Sequence, residues 1–356
     1  MSEVKSWDVI ISGAGIIGVS IALELRGRGA NVLVLDIREP GAEASSAAAG
    51  MLAATDPETP SALRPLAIAS AQMFPDYVQK IESVAQMQTD FRRLGAIALM
   101  KNSSAPREYK HLSPSELQKL EPSLQTKGHP AFFVQEDSID PYLLMQAALT
   151  AARNQGIKIR GRAAVQEARS RGQEIEILSE VGTFTTRSFI NCQGAWSGAP
   201  VKPRKGQMLY VQPDKNVLQH VLRTPDIYIV PRSDGRILIG ATVEDTGFDK
   251  SVNSSTIQTL LSAAATYLPD LASAPITQSW AGLRPGTPDD LPILGQIDPS
   301  SSFIASGHFR NGILLAPVTG KIMADMIQGS PAEFDVSPFS PARFASTPQN
   351  TQNRTA

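Results

Sequence analysis

The chain is poor in features that would place it in several other classes of protein. It has one cysteine, Cys192, in 356 residues. A single thiol cannot close an internal disulfide, which excludes a disulfide-built secreted scaffold. Nor can it form a cysteine-based zinc or iron–sulfur site, which needs several thiolates. No run of about 18 uncharged apolar residues occurs, so no segment reads as a membrane span. The N-terminal MSEVKSWD leads straight into a short apolar strand. It has neither the long apolar stretch nor the small-residue cleavage site of a secretory leader, and the expected location is cytoplasmic. Charge of one sign is missing as well. Lys+Arg number 33 against Asp+Glu 34, with no long basic block, so a nucleic-acid surface has no support. The remaining composition, 42% apolar and 19% charged, is that of an ordinary enzyme. The length fits two closely joined domains better than one core.

What is present begins with a βαβ unit. Residues 9–12 are a β-branched run that stops at Gly13. Ile17, Ile21 and Leu25 recur at spacing four and give a helix over 16–28 one apolar stripe, which Gly27 and Gly29 end. Residues 32–35 form a continuous aliphatic run closing on Asp36, the pattern of a parallel strand buried on both faces. Gly13-x-Gly15-x-x-Gly18 therefore sits between strand and helix. Its glycines suit, in order, a tight turn, close approach of a pyrophosphate, and close packing of helix on strand. The free N–H groups and the positive helix end face the phosphates. Asp36 can accept hydrogen bonds from a ribose diol and would repel a 2′-phosphate, which disfavours NADP. This unit binds a dinucleotide but does not choose between FAD and NAD. The lack of a second glycine fingerprint for a separate nicotinamide leans toward FAD.

Further along, the pattern predicts helices over about 67–86, 141–154, 257–267 and 320–327. Strands are expected at 96–100, 131–135, 157–159, 163–168, 174–178, 184–186, 188–192 and 303–305. Residues 206–211, 228–231 and 237–241 read as an antiparallel sheet with a turn at Ser233-Asp234-Gly235. The segment 43–54 is almost all Ala, Ser and Gly, and 56–65 is a Pro-rich loop. From Thr347 the sequence is polar and reads as a disordered tail.

Four stretches carry a family resemblance: 46–52 (SAAAGML), 228–232 (YIVPR), 280–287 (WAGLRPGT) and 307–317 (GHFRNGILLAP). In this order and spacing the chain resembles the glycine oxidases of thiamine biosynthesis, within the D-amino-acid oxidase family of flavoproteins, from about Asp8 to Phe344. The resemblance implies an α/β fold, with a Rossmann-type FAD-binding domain and an antiparallel α+β substrate domain. The first would be built from 1–59, 141–197 and 289–328, the second from 60–140 and 198–288, with 329–356 as a C-terminal tail. It also implies a homo-oligomer, a tetramer, acting on a small amino acid and molecular oxygen.

For the cofactor, Gly13, Gly15 and Gly18 come from the glycine motif, and the resemblance places Ile16 and Ile17 along the pyrophosphate, with Asp36 and Ile37 at the adenosine end. Ala44 and Ser45 continue that contact, Val165 offers backbone to the adenine, and Ala49, Gly50 and Met51 lie beside the flavin. His308, Phe309, Arg310, Asn311, Gly312, Ile313 and Leu314 wrap the pyrimidine side of the ring, largely through main chain. Small residues there admit close backbone, and Asn311-Gly312 can aim N–H groups at developing negative charge. His308 is read as packing and not as a base. Non-covalent binding is expected, because Cys192 is not in a flavin-linking motif.

For the substrate, Arg284 is the expected partner of the carboxylate, since a guanidinium fork fixes both position and orientation. The alternative is a structural arginine paired to Asp289. Arg310 matches a second arginine at the re face, and Tyr228 a tyrosine whose hydroxyl reaches the carboxylate. The amine lone pair would assist loss of hydride from the α-carbon, so no protein base is required. The products are then a 2-oxo acid, ammonia and peroxide. This chain departs from the family pattern at Arg223 and Asp226, at Pro57 with Asp56 and Glu58 beside it, and at Val243. The pocket wall therefore differs, and strict preference for glycine is not carried over. Two other readings remain: a D-amino-acid dehydrogenase serving a quinone or partner protein, and a non-catalytic flavoprotein subunit.

Overall fold

The computed structural model describes residues 6–101, 105–298 and 301–345. The tail expected from Thr347 lies outside them. Two large sheets organise the chain. The first has a parallel centre in the order Ser302–Ser306, Gly182–Asn191, Ser6–Ser12, Val32–Leu35, Lys158–Arg160. Ile293–Asp298 adds an antiparallel edge. The aliphatic run Val32–Leu35 is buried at every position, as a strand covered on both faces must be. The two short strands expected at 184–186 and 188–192 are one strand, Gly182–Asn191. Arg187 interrupts their apolar pattern, but it faces solvent and pairs with Asp8, so it does not end the strand.

Helix Ile16–Gly27 leaves the first strand directly and packs on Ala316–Gln328, closer than side chains normally allow. A Cβ on Gly320 would stand 3.1 Å from the Ser20 carbonyl oxygen. Pro141–Asn154 starts where Asp140 caps it, its carboxylate accepting the Tyr142 and Leu143 N–H groups. Arg64–Ala85, from the segment 60–140, packs on these same helices and joins the core around the first sheet. Residues 337–345 also fold back: Phe339 is fully buried in that core, and Arg343 pairs with Asp289.

The second sheet runs in the order Ile276–Gly286, Lys202–Val211, Ile237–Gly240, Tyr228–Pro231, Val221–Arg223, Ala96–Leu99, Ala131–Val134, Lys110–Leu112. Neighbours are antiparallel except Val221–Arg223 beside Ala96–Leu99. Its far face packs on helix Ser254–Tyr267 through a second core that includes Leu209, Ile229, Ile239 and Leu260. Strands Val221–Arg223 and Lys110–Leu112 and helix Pro114–Leu120 go beyond the sequence expectation. Three-residue strands are too short for alternation to announce them.

The two sheets meet through the Ala/Ser/Gly segment. A Cβ on Gly282 would stand 2.8 Å from the Ala47 Cβ, and Trp280 Nε1 donates to the Ala47 carbonyl at 3.1 Å. Only small residues permit that approach. Arg232, with 1% of its side chain exposed, completes the junction. It donates to the Ala49 carbonyl at 2.7 Å, the Ile139 carbonyl at 2.9 Å and the Tyr210 hydroxyl at 3.2 Å. Arg232→Met should leave two buried carbonyls without their donor and remove one of the two arginines beside Asp140, costing about 3–5 kcal/mol. Thermal unfolding should show a lower midpoint, and Arg232→Lys, which cannot serve three acceptors in one plane, should restore only part. A midpoint unchanged in Arg232→Met would show that the junction does not depend on this side chain.

Candidate active site

One continuous cavity of about 690 Å³ lies between the sheets, running from the glycine loop to the cavity face of the second sheet. At the first end the loop is set by two side-chain acceptors. Asp36 Oδ2 accepts the Ala14 N–H at 2.6 Å and Oδ1 the Arg38 N–H at 2.8 Å. Ser45 Oγ accepts the Ile16 N–H at 2.9 Å. Burial pushes the Asp36 carboxyl up, opposed by those backbone N–H groups. Gly13 holds φ +111° against the end of the neighbouring strand, where a Cβ would meet the Cys192 carbonyl oxygen at 2.3 Å. Gly18 sits behind the loop, its Cα so near the Gly13 carbonyl that a Cβ would stand 2.0 Å away. N-cap Gly15 brings no side chain over the helix end, which opens on the cavity.

Most of the expected cofactor residues line this one space: Gly13, Gly15, Ile16, Ile17, Asp36, Ile37, Ala44, Ser45, Ala49, Gly50, Met51 and 308–313. Three do not. Gly18 has the packing place just described. Val165 pairs with Ser179 in an outlying part of the first sheet and does not line the cavity. Leu314 is buried, its carbonyl accepting the Ser70 hydroxyl at 2.6 Å. A dinucleotide fits this space on structural grounds. A helix N-terminus and an acidic strand end stand at one extreme, and the small residues 47–50 leave room along the middle.

The residues expected at the substrate also converge. Tyr228 is packed into the cavity wall, and its hydroxyl donates to Met208 Sδ at 3.4 Å. Burial pushes its pKa up, and the Arg284 guanidinium, then Arg310, oppose that shift from close by. Arg284 lies flat across Gly206, where a Cβ would collide with all three guanidinium atoms it met, at 2.3–2.6 Å. Its Nη1 donates to the Thr242 carbonyl at 3.2 Å. Among the described residues no carboxylate pairs with it. Asp289, the alternative partner, is held by Arg343 at 2.8 and 3.2 Å. Arg310 differs: it is 42% exposed and bonded to Glu58 at 2.6 Å.

His308 is buried, with Nε2 3.1 Å from the Thr319 hydroxyl. Burial lowers its pKa to about 3, so the ring is neutral at ordinary pH. Its surroundings agree with packing. Three features of the site go beyond the sequence reading: the Arg232 junction, the Trp280–Ala47 bond, and a cluster of Arg223 with Asp56, Glu136 and Tyr109. Arg232 closes the quoted YIVPR stretch, and a guanidinium ending a buried strand was the available signal.

Comparison with known proteins agrees with this geometry. The chain is 35% identical over 360 residues to the bifunctional protein ThiO/ThiG of Trichormus variabilis, covering 95% of this chain and 55% of that protein. It thus spans about half the length of that curated relative. It is 29% identical over 407 residues to the hydrogen cyanide synthase subunit HcnC of Pseudomonas aeruginosa, covering 97% and 98% of the two. The crystal structure of glycine oxidase from Geobacillus kaustophilus superposes with a TM-score of 0.90 at 31% identity, covering 95% of this chain and 99% of that one. Residues 8–326 match the family described as DAO, FAD dependent oxidoreductase, and the chain belongs to that family.

Proposed function

We propose that this flavoprotein oxidises the amine of glycine, sarcosine and small D-amino acids, and that the reaction serves thiamine biosynthesis. The balance is one amino acid, one oxygen and one water to one 2-oxo acid, one ammonia or amine, and one hydrogen peroxide. The observation that carries the reading is Arg284: a guanidinium with no carboxylate partner among the described residues, beside the Tyr228 hydroxyl. Holding such a charge without a counter-ion is costly, and a substrate carboxylate removes the cost while gaining a two-point contact.

FAD, when bound, supplies the two-electron acceptor. Gly13, Gly15, Ile16 and Asp36 would hold its dinucleotide half, and residues 308–313 its ring end. Arg284 and Tyr228 fix the carboxylate, which orients the α-carbon and its amine in the cavity. Arg310 would join them by exchanging Glu58 for the substrate. Neutral, buried His308 takes no proton, which fits an amine bound in its neutral form. Assembly as a homotetramer and a cytoplasmic location belong to the same reading. Among the described residues no helix is long and apolar enough to cross a membrane.

The likeness to HcnC, named as a subunit of hydrogen cyanide synthase, favours one second reading, amine oxidation by a chain that works within a complex. Peroxide formed with oxygen alone, across glycine, sarcosine and D-alanine, supports the oxidase. Substrate-dependent bleaching of the flavin without peroxide would favour the partner-linked enzyme.

The protein should be yellow and release intact FAD on acid precipitation, because Cys192 is buried in strand-end packing. Flavin retained in the pellet would contradict this. Asp36→Ala should weaken FAD retention by about 1–3 kcal/mol, the worth of one or two charge-assisted hydrogen bonds, measured by flavin titration.

Arg284→Leu should lower kcat/KM by about two to four powers of ten, the kinetic equivalent of losing one buried ionic partner. FAD content should stay normal, and Arg284→Lys should recover part of the loss, since it keeps the charge without the fork. If Arg284→Leu oxidises glycine like the parent, or if alkylamines outrun amino acids, the carboxylate assignment is wrong.

A further inference from the structure

The register of the second sheet lays a row of residues along its cavity face. Trp280, Met208, Gly240, Tyr228, Arg223 and Ala98 are successive cross-strand partners. Residues directly opposite one another point to the same face. Arg223 therefore stands beside Tyr228 on the flank away from Met208, and it lines the cavity. With 13% of its side chain exposed, it is held on three sides. Nη1 donates to Asp56 Oδ2 at 3.1 Å, and Nη2 donates to the Tyr109 hydroxyl at 2.6 Å and lies 3.3 Å from Glu136 Oε2. Nε is buried without a partner.

Both terminal nitrogens of Arg223 are thus engaged, and its charge is more than balanced. One guanidinium faces two carboxylates, Glu136 behind it at 5% exposure and Asp56 at the cavity surface. The exposed Lys101 and Asp226 at the rim add one charge of each sign and leave that surplus as it is. The cavity is polarised: a guanidinium without an acidic partner among the described residues at Arg284, and surplus negative charge on the other flank of Tyr228.

We propose that the Arg223–Asp56–Glu136 wall is a charge filter for the group the substrate carries beyond its reacting carbon and nitrogen. It admits an uncharged or cationic substituent and rejects a second carboxylate. A second carboxylate would have to displace Asp56 to reach Arg223, leaving like charges together in a partly desolvated wall. A cationic group meets Asp56 directly. The inference rests on the amino-acid oxidase reading and narrows its substrate class.

Three N-substituted glycines that differ in terminal charge test it with the holoenzyme: N-ethylglycine, N-(2-aminoethyl)glycine and iminodiacetate. Iminodiacetate should show kcat/KM at least about tenfold below N-ethylglycine, the scale of one like-charge contact near a protein surface. N-(2-Aminoethyl)glycine should match or exceed N-ethylglycine. Asp56→Asn should narrow the gap between iminodiacetate and N-ethylglycine about threefold or more. Asp226→Asn, at an exposed position whose side chain makes no ion pair among the described residues, should narrow it less. Iminodiacetate oxidised as well as N-ethylglycine overturns the filter, as does a gap unmoved in both variants. If glycine, sarcosine and D-alanine are all inert, the oxidase reading itself fails, a different result from a filter that fails while those three react.

Discussion

The hydrogen bonds of Arg232 to the Ala49 and Ile139 carbonyls set the distance between the two sheets. The donor belongs to the second sheet. The acceptors belong to the small-residue segment, which lies between the two sheets, and to the turn that starts helix Pro141–Asn154, where Ile139 joins the core around the first sheet. Both acceptor residues are buried, so an orphaned acceptor there costs a large share of a protein's net stability. A planar guanidinium serving three acceptors is geometrically exacting. It therefore fixes an orientation as well as a distance, and the cavity is the space which that orientation leaves.

Along that cavity, chemically identical side chains have different roles, and surroundings alone separate them. Arg232 is spent on backbone. Arg223 is spent on two carboxylates and a phenol. Arg310 is half-exposed and on a surface ion pair, which solvent weakens. Arg284 alone of these four has no acidic partner among the described residues, and it is kept flat by the absent side chain of Gly206. Its capacity for an anion comes from what the neighbouring strand lacks. The same logic applies to the two hydroxyl-bearing rings. Tyr109 answers Arg223, while Tyr228 is left with a weak sulfur acceptor and a guanidinium close by. It can rebond to a ligand at little cost.

Several features of the fold were legible in the sequence because they are local. The glycine loop needs its own backbone conformations, the strand Val32–Leu35 its continuous aliphatic run, and helix Pro141–Asn154 its own residue pattern. The low-complexity look of residues 43–54 has a tertiary cause instead, since the strand carrying Gly282 passes within contact of Ala47 and any larger side chain would push it away. Strand Val221–Arg223 was not legible. Three residues give no period, and its existence depends on edges offered by segments distant in sequence. Val165, expected at the adenine, begins the antiparallel extension of the first sheet two residues after Ala163, whose N–H donates to the Asp36 carbonyl at 2.8 Å.

By itself, then, the sequence determined the dinucleotide loop, the acid that ends the second strand, and the residue types able to hold a carboxylate. These depend on short-range sterics and on chemistry that each residue carries wherever it lies. Only the tertiary structure decided which of the four cavity arginines keeps no acidic partner among the described residues. Partnership is settled by residues far away in the chain: Asp289 is taken by Arg343, Glu58 takes Arg310, and Asp56 and Glu136 take Arg223. Charge in a sequence is a count. Unbalanced charge in a cavity is a matter of distance and burial, and those exist only once the two sheets have met.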